Sequence, residues 1–264
     1  MLAKYGYCMK KDAYEQTSYK LLFVSQVLTA FFYLTIFYYI SKVIGKDAIQ
    51  NMIGTDYFSF AFMGISLYGI LTVGLNVFAK NVRSAQNSGV LEYTLSTASS
   101  PLEIVFGLSI SGFCRALILF IVYGTVAVTF FHLKFNLAQL IPAIVILLLT
   151  IIAVSCLGIM AAGLAMFFKQ NFTYWISAFL AICSGAFFPV SVLPKYIQFL
   201  AYLSPLTYSL DAMRGLLFQG QNISSIVPQT LALIVFIVIF LPLSVMIFSY
   251  LMKLAMKAGN LNEY

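Results

Sequence analysis

Residues 21–41 contain no Asp, Glu, Lys or Arg, and the same holds for residues 57–79, 135–168, 170–194 and 215–252. Residues 104–131 carry a single charge, Arg115. At about 1.5 Å rise per residue, roughly 20 helical residues cross the hydrocarbon of a bilayer. Each of the six runs is long enough, and the fourth and sixth have residues to spare. A backbone placed in hydrocarbon must satisfy its own hydrogen bonds, so uncharged runs of this length specify helices. Soluble domains carry about a quarter of their residues as charges. Here 9% are charged and 62% are hydrophobic, so no segment has a soluble composition. The expected fold is an all-α integral membrane domain over residues 1–264. Its six transmembrane helices are expected at about 21–41, 57–79, 103–128, 138–167, 172–190 and 226–251.

The basic residues orient these spans. With six crossings, both termini share one side. That side holds Lys4, Lys10, Lys11, Lys20, Lys80, Arg83, Lys169, Lys253 and Lys257, against Lys42, Lys46, Lys134, Lys195 and Arg214 on the other. An excess of Lys and Arg marks the cytoplasmic face, so both termini are expected there. Tyr38 and Tyr39 suit an interfacial aromatic belt at the outer end of the first span. The net charge of +7 reads as flanking charge of a membrane protein, with no nucleic-acid partner implied. Residues 1–20 place Leu2, Tyr5, Met9 and Ala13 on one helical face, with Lys4, Lys11 and Glu15 on another. An interfacial amphipathic helix is expected there, followed by a retained first span with no small-residue cleavage site. The four cysteines form no CxxC pair, which argues against a metal site or a disulfide framework. Gly158 with Ala162, and Ala161 with Ala165, have the small-xxx-small spacing of close helix contacts. Gly64, Gly69 and Gly74 are five apart and share no face. Pro242 is expected to kink the last span.

Two stretches depart from the simple alternation of spans and loops. The loop KNVRSAQNSGVLEYTLSTASSPLE sets Val90, Leu91 and Leu95 among polar neighbours, with Glu92 beside them. A short helix with a few apolar teeth and one acid suits docking into a groove on a soluble partner. The stretch FFPVSVLPKYIQFLAYLSPLTYSLD, residues 187–211, is apolar yet interrupted by Pro189, Pro194 and Pro205. Proline ends or starts helices, so two short pieces are expected at about 194–203 and 205–219. Neither is long enough to cross. Residues 191–225 therefore read as re-entrant outer helices, with Phe199, Leu203 and Leu206 packed on the spans. Lys195, Asp211 and Arg214 would stay hydrated, Asp211 pairing with Arg214 three residues on.

Nothing in the chain supplies energy. It has no GxxxxGK[ST] phosphate-binding loop and no paired intramembrane acids for an ion relay. His132 stands alone in a short outer loop. Arg115 is the one charge deep within a run, which makes it a pathway candidate by default, although it could equally snorkel or hold a carbonyl.

At these two stretches the sequence resembles the ABC-2 permeases, the membrane-spanning subunits of one class of ATP-binding-cassette exporters. The resemblance runs through SGAFFPVSVLPKYIQFLAYLSPLTYSLDAMRGLLFQG. It is carried by Gly185, Phe188–Pro189, Pro194, the Pro205-Leu206-Thr207-Tyr208 element, Asp211 and Arg214. Gly89, Leu91, Glu92 and Leu95, with Pro101 and Gly107 downstream, are similar to the family's coupling segment, here 82–101. Leu108–Ser109 stand where a lysine is common, and Ala85 and Gln86 where acids are usual. The resemblance implies a type V exporter-like plan in a prokaryotic plasma membrane. It also implies a second permease chain, as a dimer, and a separate ATPase subunit that binds ATP and Mg, this chain itself holding no cofactor or metal. Hydrophobic or amphipathic cargo (a drug, lipid or polyketide, as in multidrug efflux) fits spans rich in Phe, Leu, Ile and Tyr. Lipid-linked polysaccharide is the alternative. An ion-driven carrier or a membrane scaffold is a more distant one. In the coupling reading, Leu91→Asp with Leu95→Asp, or Glu92→Ala alone, should reduce co-purification of the ATP-binding subunit. Membrane insertion, read by fractionation, should be unchanged.

Overall fold

The computed structural model describes residues 20–44, 54–87, 101–168 and 173–257, and its structure among these is helical with no strand. The helices are α1 (Lys20–Ile44), α2 (Tyr57–Asn87), α3 (Pro101–Phe131), α4 (Leu140–Phe168), α5 (Thr173–Cys183), α6 (Lys195–Leu203), α7 (Pro205–Leu217) and α8 (Val227–Lys257). Single 3-10 turns precede α4, α6 and α8, at Leu137–Gln139, Val190–Val192 and Ile223–Ile226. Five helices are long and apolar enough to cross a membrane: α1, α2, α3, α4 and α8. The chain is thus a multi-pass, all-α membrane protein. The N-terminal amphipathic segment and most of the 82–101 coupling segment, including Gly89, Leu91, Glu92 and Leu95, lie outside the described residues.

The fifth apolar run differs from a plain span. Its described helix, α5, has 11 residues, about half of what a crossing needs. It stops at Cys183 because Gly185 adopts φ +78°, a left-handed conformation that side chains disfavour. Pro189 then prevents the chain from resuming a helix at once. Even so, α5 runs alongside much of α2. At its start the Thr173 hydroxyl donates to the Asn76 side-chain oxygen, and just past its end Ala186 lies against Gly64. Those two contacts are twelve residues apart on α2, about 18 Å.

α2 is the centre of the bundle. It packs against α1, α3, α4, α5 and α7. Of its spanning stretch, 78% is buried within the chain, against 11% for α1 and 22% for α8. Small residues make this possible, since without a hydrophobic drive between helices close van der Waals approach decides association. The glycines of α2 meet different neighbours. A Cβ on Gly64 would fall 1.9 Å from the Ala186 carbonyl oxygen, and one on Gly74 would fall 2.4 Å from a Val154 methyl in α4. One on Gly69 would meet nothing. In α4, Gly158 abuts the Gly74 backbone, so this small-residue position serves packing within the chain. α4 also carries the closest partnership with α8, which continues as one helix through Pro242.

Chain direction gathers the end of α1, the start of α2, the end of α3, the start of α4 and the start of α8 at one end of the bundle, together with α6 and α7. Aromatic rings tie this end together. Tyr38 of α1, Phe58 of α2 and Phe131 of α3 lie 5.0–5.5 Å apart by centroid. The Asn136 amide donates to the Leu217 carbonyl at 3.0 Å, joining the α3–α4 connection to the end of α7.

The α2–α4 contact yields a stability prediction. Gly158→Ala would place a Cβ 2.3 Å from the Gly74 carbonyl oxygen, so the two helices must separate. Overpacking of this kind costs roughly 1–3 kcal/mol. Thermal unfolding of the purified variant should show a clear drop in melting temperature. Gly124→Ala, which meets no atom within 4 Å, should leave it unchanged or raise it.

Candidate functional site

The broken stretch after α5 builds the most distinctive feature of the chain. Pro194 and Pro205 start α6 and α7, and Ser204 between them is extended, so the two helices meet at a fixed bend. Side chains of α7 hold that bend. The Thr207 hydroxyl donates to the Ala201 carbonyl at 2.6 Å, and the Tyr208 hydroxyl to the Tyr202 carbonyl at 2.8 Å. These are the last carbonyls of α6, which have no partner within their own helix. α7 is buried along most of its length, and the Thr150 hydroxyl of α4 donates to Ser209 Oγ at 2.7 Å. α6 lies over it with Tyr196, Phe199, Tyr202 and Leu203 exposed. Of the three residues expected to pack on the spans, only Leu206 does so; Phe199 and Leu203 face outward. The helix boundaries match the proline-based expectation to within two residues.

Arg214 corrects the sequence reading. It is not a hydrated surface cation: it is 5% exposed. Nor is it ion-paired with Asp211, for no such bridge forms and Asp211 remains exposed. Its guanidinium donates instead to three backbone carbonyls: Nη1 to Gly185 at 3.1 Å, and Nη2 to Ala186 and to Phe60, each at 3.0 Å. Its central carbon sits 3.4 Å from the centroid of the Phe60 ring. The reason is local. Where α5 unwinds at Gly185, carbonyls are left without helical partners, and a planar fork of donors can serve several at once. Stacking on Phe60 adds a cation–π contact that strengthens when water is excluded. Burial draws the guanidinium down to about 9, against the opposing pull of the Asp211 charge, so it remains protonated at neutral pH.

The other sequence-predicted residues divide between two cavities. Pro189, Asp211 and Arg214 line a polar cavity of about 270 Å³ with Tyr202, Gln221 and Gln229. Arg214 Nε and Gln229 Oε1 have no protein partner, and the cavity has room for waters that would satisfy them. Phe188 lines a larger cavity of about 710 Å³, formed by α1, α2, α3 and the turn after α5. That cavity contains no charged residue. Its walls are apolar and aromatic, dotted with the hydroxyls of Tyr33, Ser66, Tyr68, Thr72 and Tyr123. Gly69 faces it with open space before it. Arg115 lies in α3, and its side chain is outside the described residues. Phe60 was not singled out from sequence, Gly64 and Gly69 were named there without a role, and of the cavity walls only Phe188 was a candidate. Among the described residues no group of three or more His, Cys, Asp or Glu could hold a metal ion.

A helical bundle of this kind, with a proline-broken pair of helices clamped by a buried arginine, can be compared with known families. Residues 6–218 match the ABC-2 type transporter family. The chain belongs to that family. The match covers every described helix up to the end of α7, and α8 follows it. A search of curated proteins found no match. As an ABC-2 chain, this protein is a membrane permease subunit of an ATP-binding-cassette transporter.

The clamp makes a quantitative prediction. Arg214→Met would leave the Gly185 and Ala186 carbonyls without a donor and remove the second bond to the Phe60 carbonyl, a loss of roughly 2–6 kcal/mol at about 1–3 for each orphaned group. The melting temperature of the purified chain should fall sharply. Arg214→Lys should recover only part of the loss, because one ammonium cannot reproduce the fork.

Proposed function

We propose that this permease exports a hydrophobic or amphipathic compound, such as a drug, lipid or polyketide, and that the 710 Å³ cavity receives it. The observation that carries this reading is the lining. A cavity with no charge, aromatic walls and a few hydroxyls suits an apolar body with scattered polar groups. A strongly charged solute would lose its hydration there with nothing to replace it.

Energy would come from a separate subunit that binds ATP and Mg and docks on the 82–101 coupling segment. Two permease chains with two such subunits would form the working transporter. α5, supplemented by the turn at 184–189, would provide the sixth crossing, placing both termini in the cytoplasm of a prokaryotic cell. α6 and α7 would then lie on the outer side, as re-entrant helices at the exit. Arg115 is kept as a pathway residue.

Gly69 offers a clean test. Gly69→Leu adds a side chain whose Cβ would meet no atom within 4 Å and whose branches extend into the cavity, so the fold should tolerate it. In proteoliposomes containing the permease and its ATP-binding subunit, ATP added outside reaches the subunits facing the bath, so an amphipathic fluorescent dye should accumulate in the lumen. The Leu variant should assemble normally yet lose most of that transport. Unchanged export with the cavity filled would remove the cavity from the pathway.

A further inference from the structure

A second large cavity, about 790 Å³, opens at the same end of the bundle as α6 and α7, between the end of α1, the start of α2 and the loop after α3. It lies on a different face from the uncharged cavity and has the opposite character. Lys42 and Lys134 line it, along with His132. Lys42 Nζ rests over aromatic rings, 4.7 Å from the Tyr38 centroid and 5.9 Å from that of Tyr39. Among the described residues neither lysine has a carboxylate within ion-pairing distance. The one acid in the wall, Asp56, is engaged with the start of α2: it accepts from Ser59 Oγ at 2.6 Å and from the Ser59 amide at 3.3 Å. Such a cap offsets the partial positive charge of the helix end, so among the described residues no acid is left to compensate the lysines.

His132 strengthens the case. Its φ is +53°, and the Leu133 amide donates to the Ala127 carbonyl at 3.1 Å. This bond spans six residues and closes the end of α3 over a left-handed residue, a conformation glycine adopts at least cost. The chain instead keeps an imidazole there, facing the cavity. Thr55, also in the wall, is 7% exposed and its hydroxyl has no protein partner. Beneath these groups the rings of Tyr38, Phe58 and Phe131 form an apolar floor.

We infer that this cavity binds the phosphate of an anionic lipid headgroup, with the lipid's apolar portion against the aromatic floor. Two lysines with no carboxylate partner among the described residues, and an imidazole donor, match phosphate oxygens. The aromatic floor and the position at the helix ends match an amphiphile seated at the membrane interface. A zwitterionic headgroup would bring its own cation against the two lysines. The inference does not depend on what the transporter exports.

Native mass spectrometry of the full chain, with phosphatidylglycerol and phosphatidylcholine of equal chain length, tests it. Retained phosphatidylglycerol should exceed phosphatidylcholine, and Lys42→Gln with Lys134→Gln should erase the excess, at roughly fivefold per lysine. Lys195→Gln, outside the cavity, should leave the excess intact. His132→Gly relieves the positive φ, so the fold should be at least as stable, yet the phosphatidylglycerol adduct should weaken. Equal retention of the two lipids, or an excess that survives the double lysine variant, would overturn the inference. Thermal stabilisation by inorganic phosphate, lost in the lysine variant but without lipid preference, would overturn the lipid assignment in favour of a soluble phosphate.

Discussion

The Arg214 guanidinium, set against the Gly185, Ala186 and Phe60 carbonyls, holds together three pieces of chain that have no backbone ladder between them. Removing an ionised group from water is costly unless it is well bonded, and this one is bonded on two of its three nitrogens and stacked on Phe60. The bonds run both ways in consequence. They satisfy the arginine, and they also satisfy carbonyls that a helix broken at Gly185 would otherwise leave bare. The break in α5, the seating of α7 and the position of the first turn of α2 therefore depend on one another. A glycine at 64 completes the arrangement, because any side chain there would collide with the Ala186 carbonyl that the arginine holds.

Around this point the bundle is organised by residue size. α2 is surrounded because its glycines let α4, α5 and the turn at 185–186 approach closely. α1 contacts it least, and the uncharged cavity lies between α1, α2 and α3. The same helix thus provides both close glycine-mediated packing and one wall of the apolar opening. Gly69 faces the opening and Gly64 and Gly74 face the packing.

Much of this was legible in the sequence. Uncharged runs of 20 or more residues have few physical alternatives to helices in a membrane, and prolines at 194 and 205 are strong local punctuation. The family could be read from the order of Gly185, Pro189, Pro194, Pro205 and Arg214 for the same reason, since each imposes a local geometry. The fate of Arg214 was not legible. Spacing alone puts Asp211 and Arg214 on one helical face, and a surface pair is the simple expectation. Which way the guanidinium turns depends on the carbonyls of residues 185 and 186 and on Phe60, 154 positions away. The length of α5 was obscured likewise, because hydropathy is blind to a left-handed glycine. The cavities are properties of distance between helices, which no single run encodes.

α2 has 31 residues, and so extends about 46 Å as one unbroken rod. One end carries Lys80 and Arg83 and leads into residues 88–100; the other carries Phe60, bonded to Arg214. A helix resists compression far better than a loop does. A small axial or tilting displacement at its charged end must reappear at Phe60 with little loss. There the rigid fork of the guanidinium passes it to α7 and, through the Thr207 and Tyr208 bonds, to α6. The bent helix pair thus meets that rod at its far end, 14 residues from the crowded crossing of Gly74 with Gly158.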